Sequence, residues 1–118
     1  TNKAKDYRKT LLAHYRDKLI PVDIADFAFF HIENGIVYGT THKGKEYPLN
    51  QKLEKLEKQL DPAAFFRINR QVLVSRTAVR EISPHFKDRL LLKLSNPPKW
   101  QVIVSRAKSG DFKAWISQ

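Results

Sequence analysis

The feature that most constrains this chain is how often its strand-forming segments are cut short. Between Leu11 and Val104 they come as Leu11–Ala13, Leu19–Val22, Phe27–Ile32, Ile36–Thr41, Glu46–Leu49, Phe65–Ile68, Val72–Val74, Val79–Ser83, Arg89–Leu94 and Trp100–Val104. Segments of this length, rich in Val, Ile, Leu and Phe and bounded by polar turn residues, read as β-strands. The boundaries carry their own turn chemistry. Asn34-Gly35 tolerates the positive φ angles that a tight hairpin needs, and His42–Lys45 reads as a second turn. Ser95-Asn96-Pro97-Pro98 is a third, because two prolines cannot join a strand ladder. Asp23–Asp26 reads as a single turn with Asp23 as its cap.

Helical spacing appears clearly once. Leu53, Leu56 and Leu60 recur three and four residues apart, with Asn50 as the expected N-cap and Asp61-Pro62 as the stop. Lys and Glu alternate over the rest of that face, so the segment carries little net field and reads as a strut against a sheet. A short helix capped by Ser105, with Phe112, Trp115 and Ile116 near its end, is expected to close the chain. These elements make a mostly β domain with one clear helix and one or two short ones.

At 118 residues the chain suits one core, and its 42% apolar content fits a folded domain. Without cysteine it can form no disulfide, thiolate zinc site or cysteine nucleophile. No apolar run nears the roughly 20 residues that span a bilayer. The chain reads as a cytoplasmic domain without membrane association. Its charge is +10, and it is unevenly placed. Residues 1–61 hold 11 basic and 9 acidic side chains, whereas residues 62–118 hold 11 basic and 3 acidic. Such an excess suits a polyanion. It equally suits an anionic membrane surface, RNA or an acidic protein partner, so charge alone leaves these alternatives open.

Catalytic patterns are thin. Asp23, Asp26, His31 and Glu33 lie close in sequence, but they straddle a turn and a strand without the further ligands a metal needs. No serine has a paired His and acid at recognisable spacing, and no glycine-rich phosphate loop is present. No enzyme activity, cofactor or metal is expected. The arginines say more. Arg67, Arg70, Arg76 and Arg80 alternate with apolar residues, so a packed scaffold fixes their backbone positions. A guanidinium can bridge the O6 and N7 of guanine in the major groove, or bind a phosphate. Arg70 falls on a turn and Arg106 at a helix start, whose free N–H groups also suit a phosphate. Most aromatic residues, including Phe65, Phe66, Phe112 and Trp115, sit at core-like positions, which favours duplex over single-stranded nucleic acid.

The stretch Phe65-Phe66-Arg67-Ile68-Asn69-Arg70-Gln71-Val72-Leu73-Val74-Ser75, followed by Val79 and Ile82, resembles the hallmark segment of LytTR domains. That segment typically runs Phe-x-Arg-Ile/Val-His-Arg-Ser before a hydrophobic trio and an Asn. Asp26–Phe30, Thr41–Tyr47, Leu53–Glu57 and Val104-Ser105-Arg106 resemble further family pieces in the same order, so the likeness runs from Leu19 to Ile116. It departs at Asn69 for His, Gln71 for Ser and Ser75 for Asn.

The resemblance implies short antiparallel strands in elongated small sheets, with loops entering the DNA grooves. It implies the output domain of a LytR/AlgR/AgrA-like two-component response regulator, joined to a receiver domain that a histidine kinase phosphorylates. Thr1–Lys9 would then be the linker stub, and residues 10–118 the DNA-binding domain. Such domains pair on direct repeats about one helical turn apart, so this one is expected to be a monomer until bound. By position, Asn34, Arg70 and Arg106 would touch bases. Asn69, Gln71, Lys108, Arg67 and Arg76 would contact phosphate or support the site.

Overall fold

The computed structural model describes residues 6–118. Ten strands form in chain order: β1 (Thr10–Tyr15), β2 (Lys18–Asp23), β3 (Phe27–Glu33), β4 (Ile36–Thr41), β5 (Glu46–Leu49), β6 (Phe65–Asn69), β7 (Val72–Ser75), β8 (Val79–His85), β9 (Arg89–Leu94) and β10 (Val102–Val104). Helix α1 (Leu53–Gln59) lies between β5 and β6, and α2 (Arg106–Ile116) follows β10. Every strand pairing is antiparallel. The strands make a central sheet in the order β5-β4-β3-β7-β6, a three-stranded sheet β10-β9-β8 and the hairpin β1-β2.

Alternation along the central strands divides the core in two, because successive side chains point to opposite faces of a sheet. On one face Phe27, Phe30 and Leu73 pack with Leu11, Val22 and the α1 residues Leu53 and Leu56. On the other, Phe29, Val72 and Val74 pack with Leu90, Leu92 and Val104 of the three-stranded sheet and with Phe112 and Trp115 of α2. Ala28 and Phe29 share this second cluster although they are neighbours, because a register shift between Phe27 and Phe29 turns the strand. Each fully buried Phe or Leu contributes roughly 1.5–3 kcal/mol of transfer free energy. The central sheet is therefore held from both sides.

Both helices depart from the sequence reading. β5 runs to Leu49, and α1 begins only at Leu53, so Lys52 rather than Asn50 occupies the N-cap, without a side-chain cap bond. Leu60 is already extended, and Asp61 Oδ1 accepts the Ala63 amide at 2.9 Å in the turn that follows. Ser105 does hold the N-cap position of α2, again without a side-chain bond, but that helix is the longer of the two at 11 residues. Its buried stripe is Ser109, Phe112 and Trp115. Asp23 precedes the turn Ile24–Asp26 without capping it through its side chain. Strand β10 starts at Val102, leaving Trp100 in the preceding loop. There its ring packs edge-on against Phe29.

The expected linker stub is only partly visible. Thr1–Lys5 lie outside the described residues. The Arg8 amide donates to the Gln59 carbonyl and the Lys9 carbonyl accepts from Ile24, both at 2.9 Å, so these two residues are tied to the domain.

Candidate nucleic-acid interface

Strand register brings three connections to one end of the molecule. His31 of β3 faces Val72 of β7, and the Ile32 amide donates to the Gln71 carbonyl at 2.9 Å. The β3–β4 hairpin therefore ends beside the turn Arg70-Gln71 between β6 and β7. The Ser105 amide donates to the Ile68 carbonyl at 2.9 Å, which sets the start of α2 beside the same turn. Asn34, Arg70 and Arg106 thus share one edge of the fold, and all three are exposed. Asn34 and Gly35 have φ of 53° and 78°, the left-handed pair that a two-residue hairpin demands.

The Arg70 turn is braced. Asn69 Oδ1 accepts the Gln71 amide at 2.8 Å, while its Nδ2 donates to the Ile103 carbonyl at 2.7 Å. Arg67 reaches under the turn from β6. Its Nε donates to the Asn69 carbonyl at 2.9 Å, and its other nitrogens hold the Arg70 carbonyl and pair with Glu57 at 3.0 Å and Glu54 at 3.7 Å. With a side chain only 12% exposed, Arg67 uses its planar fork inside the protein. Asn69 and Arg67 therefore act as supports for the turn that displays Arg70. Sequence reasoning grouped Asn69 and Arg67 with Gln71, Lys108 and Arg76 as phosphate or supporting residues and did not separate these two braces from the rest. The only signal of the separation was the placement of Arg67 among Phe65, Phe66 and Ile68.

Gln71 and Lys108 are exposed on a shallow groove that also runs past Asn69, Arg70, Ser105 and Ala107. Among the described residues no carboxylate lies within ion-pair distance of Arg70, Arg106 or Lys108. Glu57, the acid on that groove, is taken up by Arg67, and Glu33 lies 3.3 Å from His31 Nε2. The positive charge at this edge is thus left uncompensated.

Arg76 lies elsewhere. It follows β7 at the end opposite Arg70, where its Nε donates to Ala63 and its remaining nitrogens to Ile116 and Trp115 carbonyls. Its guanidinium carbon sits 4.5 Å from the Trp115 ring centroid. Arg76 closes the C-terminal end of α2, where a cation meets unpaired carbonyls and the negative end of the helix dipole. Among the described residues no group of three or more His, Asp and Glu side chains could hold a metal ion. No helix there is long and apolar enough to cross a membrane.

A mostly β scaffold that gathers exposed cations without acidic partners on one edge, Arg70 on a turn and Arg106 and Lys108 in the first turn of α2, has the charge and shape of a polyanion-binding class of protein. The family is equally definite: residues 17–117 match the model of the LytTr DNA-binding domain, and the chain belongs to that family. It is 31% identical over 108 residues to the transcriptional regulatory protein LytR of Staphylococcus aureus strain MW2, covering 85% of this chain and 43% of that protein. It is 26% identical over 97 residues to the transcriptional regulatory protein YpdB of Escherichia coli strain K12, covering 82% and 39%. The chain thus spans less than half the length of these relatives. The LytTr DNA-binding domain of a response regulator from Bacillus cereus shares the fold, with a TM-score of 0.83 at 19% identity over 94% of this chain and 99% of that one. The mostly β, small-sheet architecture expected from the sequence is the one observed.

Proposed function

We propose that this domain recognises a specific duplex DNA sequence, with Arg70 and Arg106 reading base edges in successive stretches of the major groove. One observation carries the proposal. Two exposed arginines without acidic partners stand on one edge, and the Asn69–Ile103 hydrogen bond joins the turn of one to the strand leading to the other. Fixed spacing between two forks is what sequence readout requires, since each bidentate pair on guanine discriminates by about 1–3 kcal/mol. Asn34 on its hairpin adds a third base contact. Gln71 and Lys108 lie where phosphates flank the groove, and Asn69 and Arg67 serve by holding the turn.

In the full protein the domain is the output module of a bacterial two-component response regulator. Its partners are a receiver domain and a cognate histidine kinase, and it acts in the cytoplasm. Pairs of domains occupy direct repeats on one face of the duplex, each a monomer when free. The deciding experiment is selection of duplexes by the purified chain from a random DNA pool. Enrichment of a short motif, in two direct copies about one turn apart, supports the reading; a bound pool without any enriched sequence overturns it.

A further inference from the structure

Register brings a fourth segment to the edge that carries Arg70 and Arg106. Leu90 of β9 faces Val104 of β10, so the β8–β9 connection leaves the sheet on the side where β10 continues into Ser105 and Arg106. The link is direct. Ser109, in the first turns of α2, shares its hydroxyl proton between the Asp88 carbonyl at 3.0 Å and the Ser105 carbonyl at 2.9 Å.

This connection, Phe86–Asp88, is held in an unusual shape. Lys87 and Asp88 have φ of 57° and 60°, in the left-handed region that residues with a Cβ seldom enter. Arg89 Nε donates to the Phe86 carbonyl at 3.0 Å, so the turn is gripped at Phe86 as well as at Asp88. At its tip Phe86 is 75% exposed, more than any other large apolar side chain described. A lone exposed apolar residue is ordinary on a protein surface. Phe86 differs because its backbone is braced, because Lys87 and Arg89 flank it, and because the adjoining helix start carries Arg106.

We propose that the β8–β9 turn is a fourth DNA contact, lying just outside the bases read by Arg106. Lys87 pairs with a backbone phosphate, and the Phe86 ring packs on the neighbouring deoxyribose or thymine methyl. Apolar rings make such contacts in duplex grooves, and lysine needs no fixed geometry to meet a phosphate. Asp88 is the one acid on the turn, and its carboxylate opposes the attraction of Lys87. The inference rests on the duplex-binding reading of the same edge.

The test uses anisotropy titration of the purified chain on a single-copy duplex of the selected motif. One version keeps flanking base pairs on the Arg106 side, and the other is trimmed flush. On the flanked duplex Phe86→Ala is expected to weaken binding about tenfold, with Phe86→Leu intermediate. Lys87→Ala is expected to lower the slope of log K against log salt by about 1. Asp88→Asn, which keeps the carbonyl bonded to Ser109, is expected to tighten binding at low salt. On the trimmed duplex all four variants should match the parent.

Unchanged affinity of Phe86→Ala and Lys87→Ala on the flanked duplex overturns the proposal while leaving the reading of Arg70 and Arg106 intact. A loss seen only with two motif copies assigns the ring to a second protein molecule and overturns it as well. If the parent chain shows no specific duplex binding, the broader reading falls first and this contact with it.

Discussion

Asn69 donates from Nδ2 to the carbonyl of Ile103 at 2.7 Å, across 34 residues of sequence, and so ties the turn bearing Arg70 to the strand that leads to Arg106. The same side chain accepts the Gln71 amide at 2.8 Å, so one amide group shapes the turn and anchors it. Loss of Asn69 therefore removes one tie between the two segments and leaves the Ser105 amide on the Ile68 carbonyl as another.

Asn69→Ala should cost about 1–2 kcal/mol of stability, since two part-buried or local hydrogen bonds disappear together. Asn69→Asp separates the two. It keeps the acceptor for Gln71 but sets a carboxylate against the Ile103 carbonyl, so it should destabilise at least as much as alanine. Urea unfolding measures the stability, and DNA titration should show specific affinity falling further than affinity for random duplex. Equal losses on both duplexes would mean that Asn69 supports the fold alone.

Arg67 is the second brace, and its value lies in the turn carbonyls more than in its ion pairs. Glu57 is 44% exposed and Glu54 65%, so solvent screens both partners. Glu57→Gln is expected to change stability by less than about 1 kcal/mol. Arg67→Lys should lose most of what Arg67→Ala loses, because an ammonium cannot span the Asn69 and Arg70 carbonyls as a planar fork does. Relaxation of the backbone 15N nuclei at Arg70 and Gln71 reports the effect directly: the turn should become more mobile in both variants. An unchanged turn in Arg67→Ala would remove the bracing role.

Arg70 and Arg106 should behave oppositely to Arg76. Replacing either of the first two by alanine is expected to leave the melting temperature alone and cost about 1–3 kcal/mol at the selected site, with little loss on random DNA. Arg76→Ala removes three donors to the carbonyls of Ala63, Trp115 and Ile116 and the cation over Trp115, so melting should fall while the ratio of specific to random binding holds. Calorimetry and paired titrations on the same variants separate these effects. A drop in that ratio for Arg76→Ala would bring its end of β7 into the interface.

The strands and hairpins were legible because their signals are local: Asn34-Gly35 carries its own turn chemistry, and Val72, Leu73 and Val74 alternate between the two cores. The helix limits were less so. Three leucines mark the buried face of α1 but not its first residue, which depends on β5 running to Leu49. The span of α2 was read more closely, since a helix capped by Ser105 with Phe112, Trp115 and Ile116 near its end covers the 11 residues observed. The different fates of Arg67, Arg70 and Arg76 could not be read from spacing at all. Their backbone positions follow from the strands, but the partners of Arg76 at Trp115 and Ile116 lie 39 and 40 residues away. Likewise the β8–β9 turn reaches the Arg106 edge through the pairing of β9 with β10 and the bond from Ser109 to the Asp88 carbonyl, contacts that spacing does not show.

Two glycines allow a last separation of fold from function. A Cβ on Gly39 would lie 2.6 and 2.9 Å from Phe27 ring atoms and 3.0 Å from Phe30, inside the core beneath the central sheet. Gly39→Ala should destabilise by about 1–3 kcal/mol, the usual cost of overpacking. Gly110 is exposed within α2 and a Cβ there would meet nothing within 4 Å. Gly110→Ala should therefore stabilise by about 0.5–1 kcal/mol, because glycine loses more backbone freedom than alanine on entering a helix. Urea midpoints give both values. The DNA affinity of Gly110→Ala carries the further information: Gly110 lies one turn beyond Arg106, so its site on α2 meets DNA only if the duplex extends along the helix and not across its first turn. A variant that gains stability but loses affinity would put that part of α2 against the duplex. Unchanged affinity is the expected result and would confine the contact to the helix start and the turns beside it.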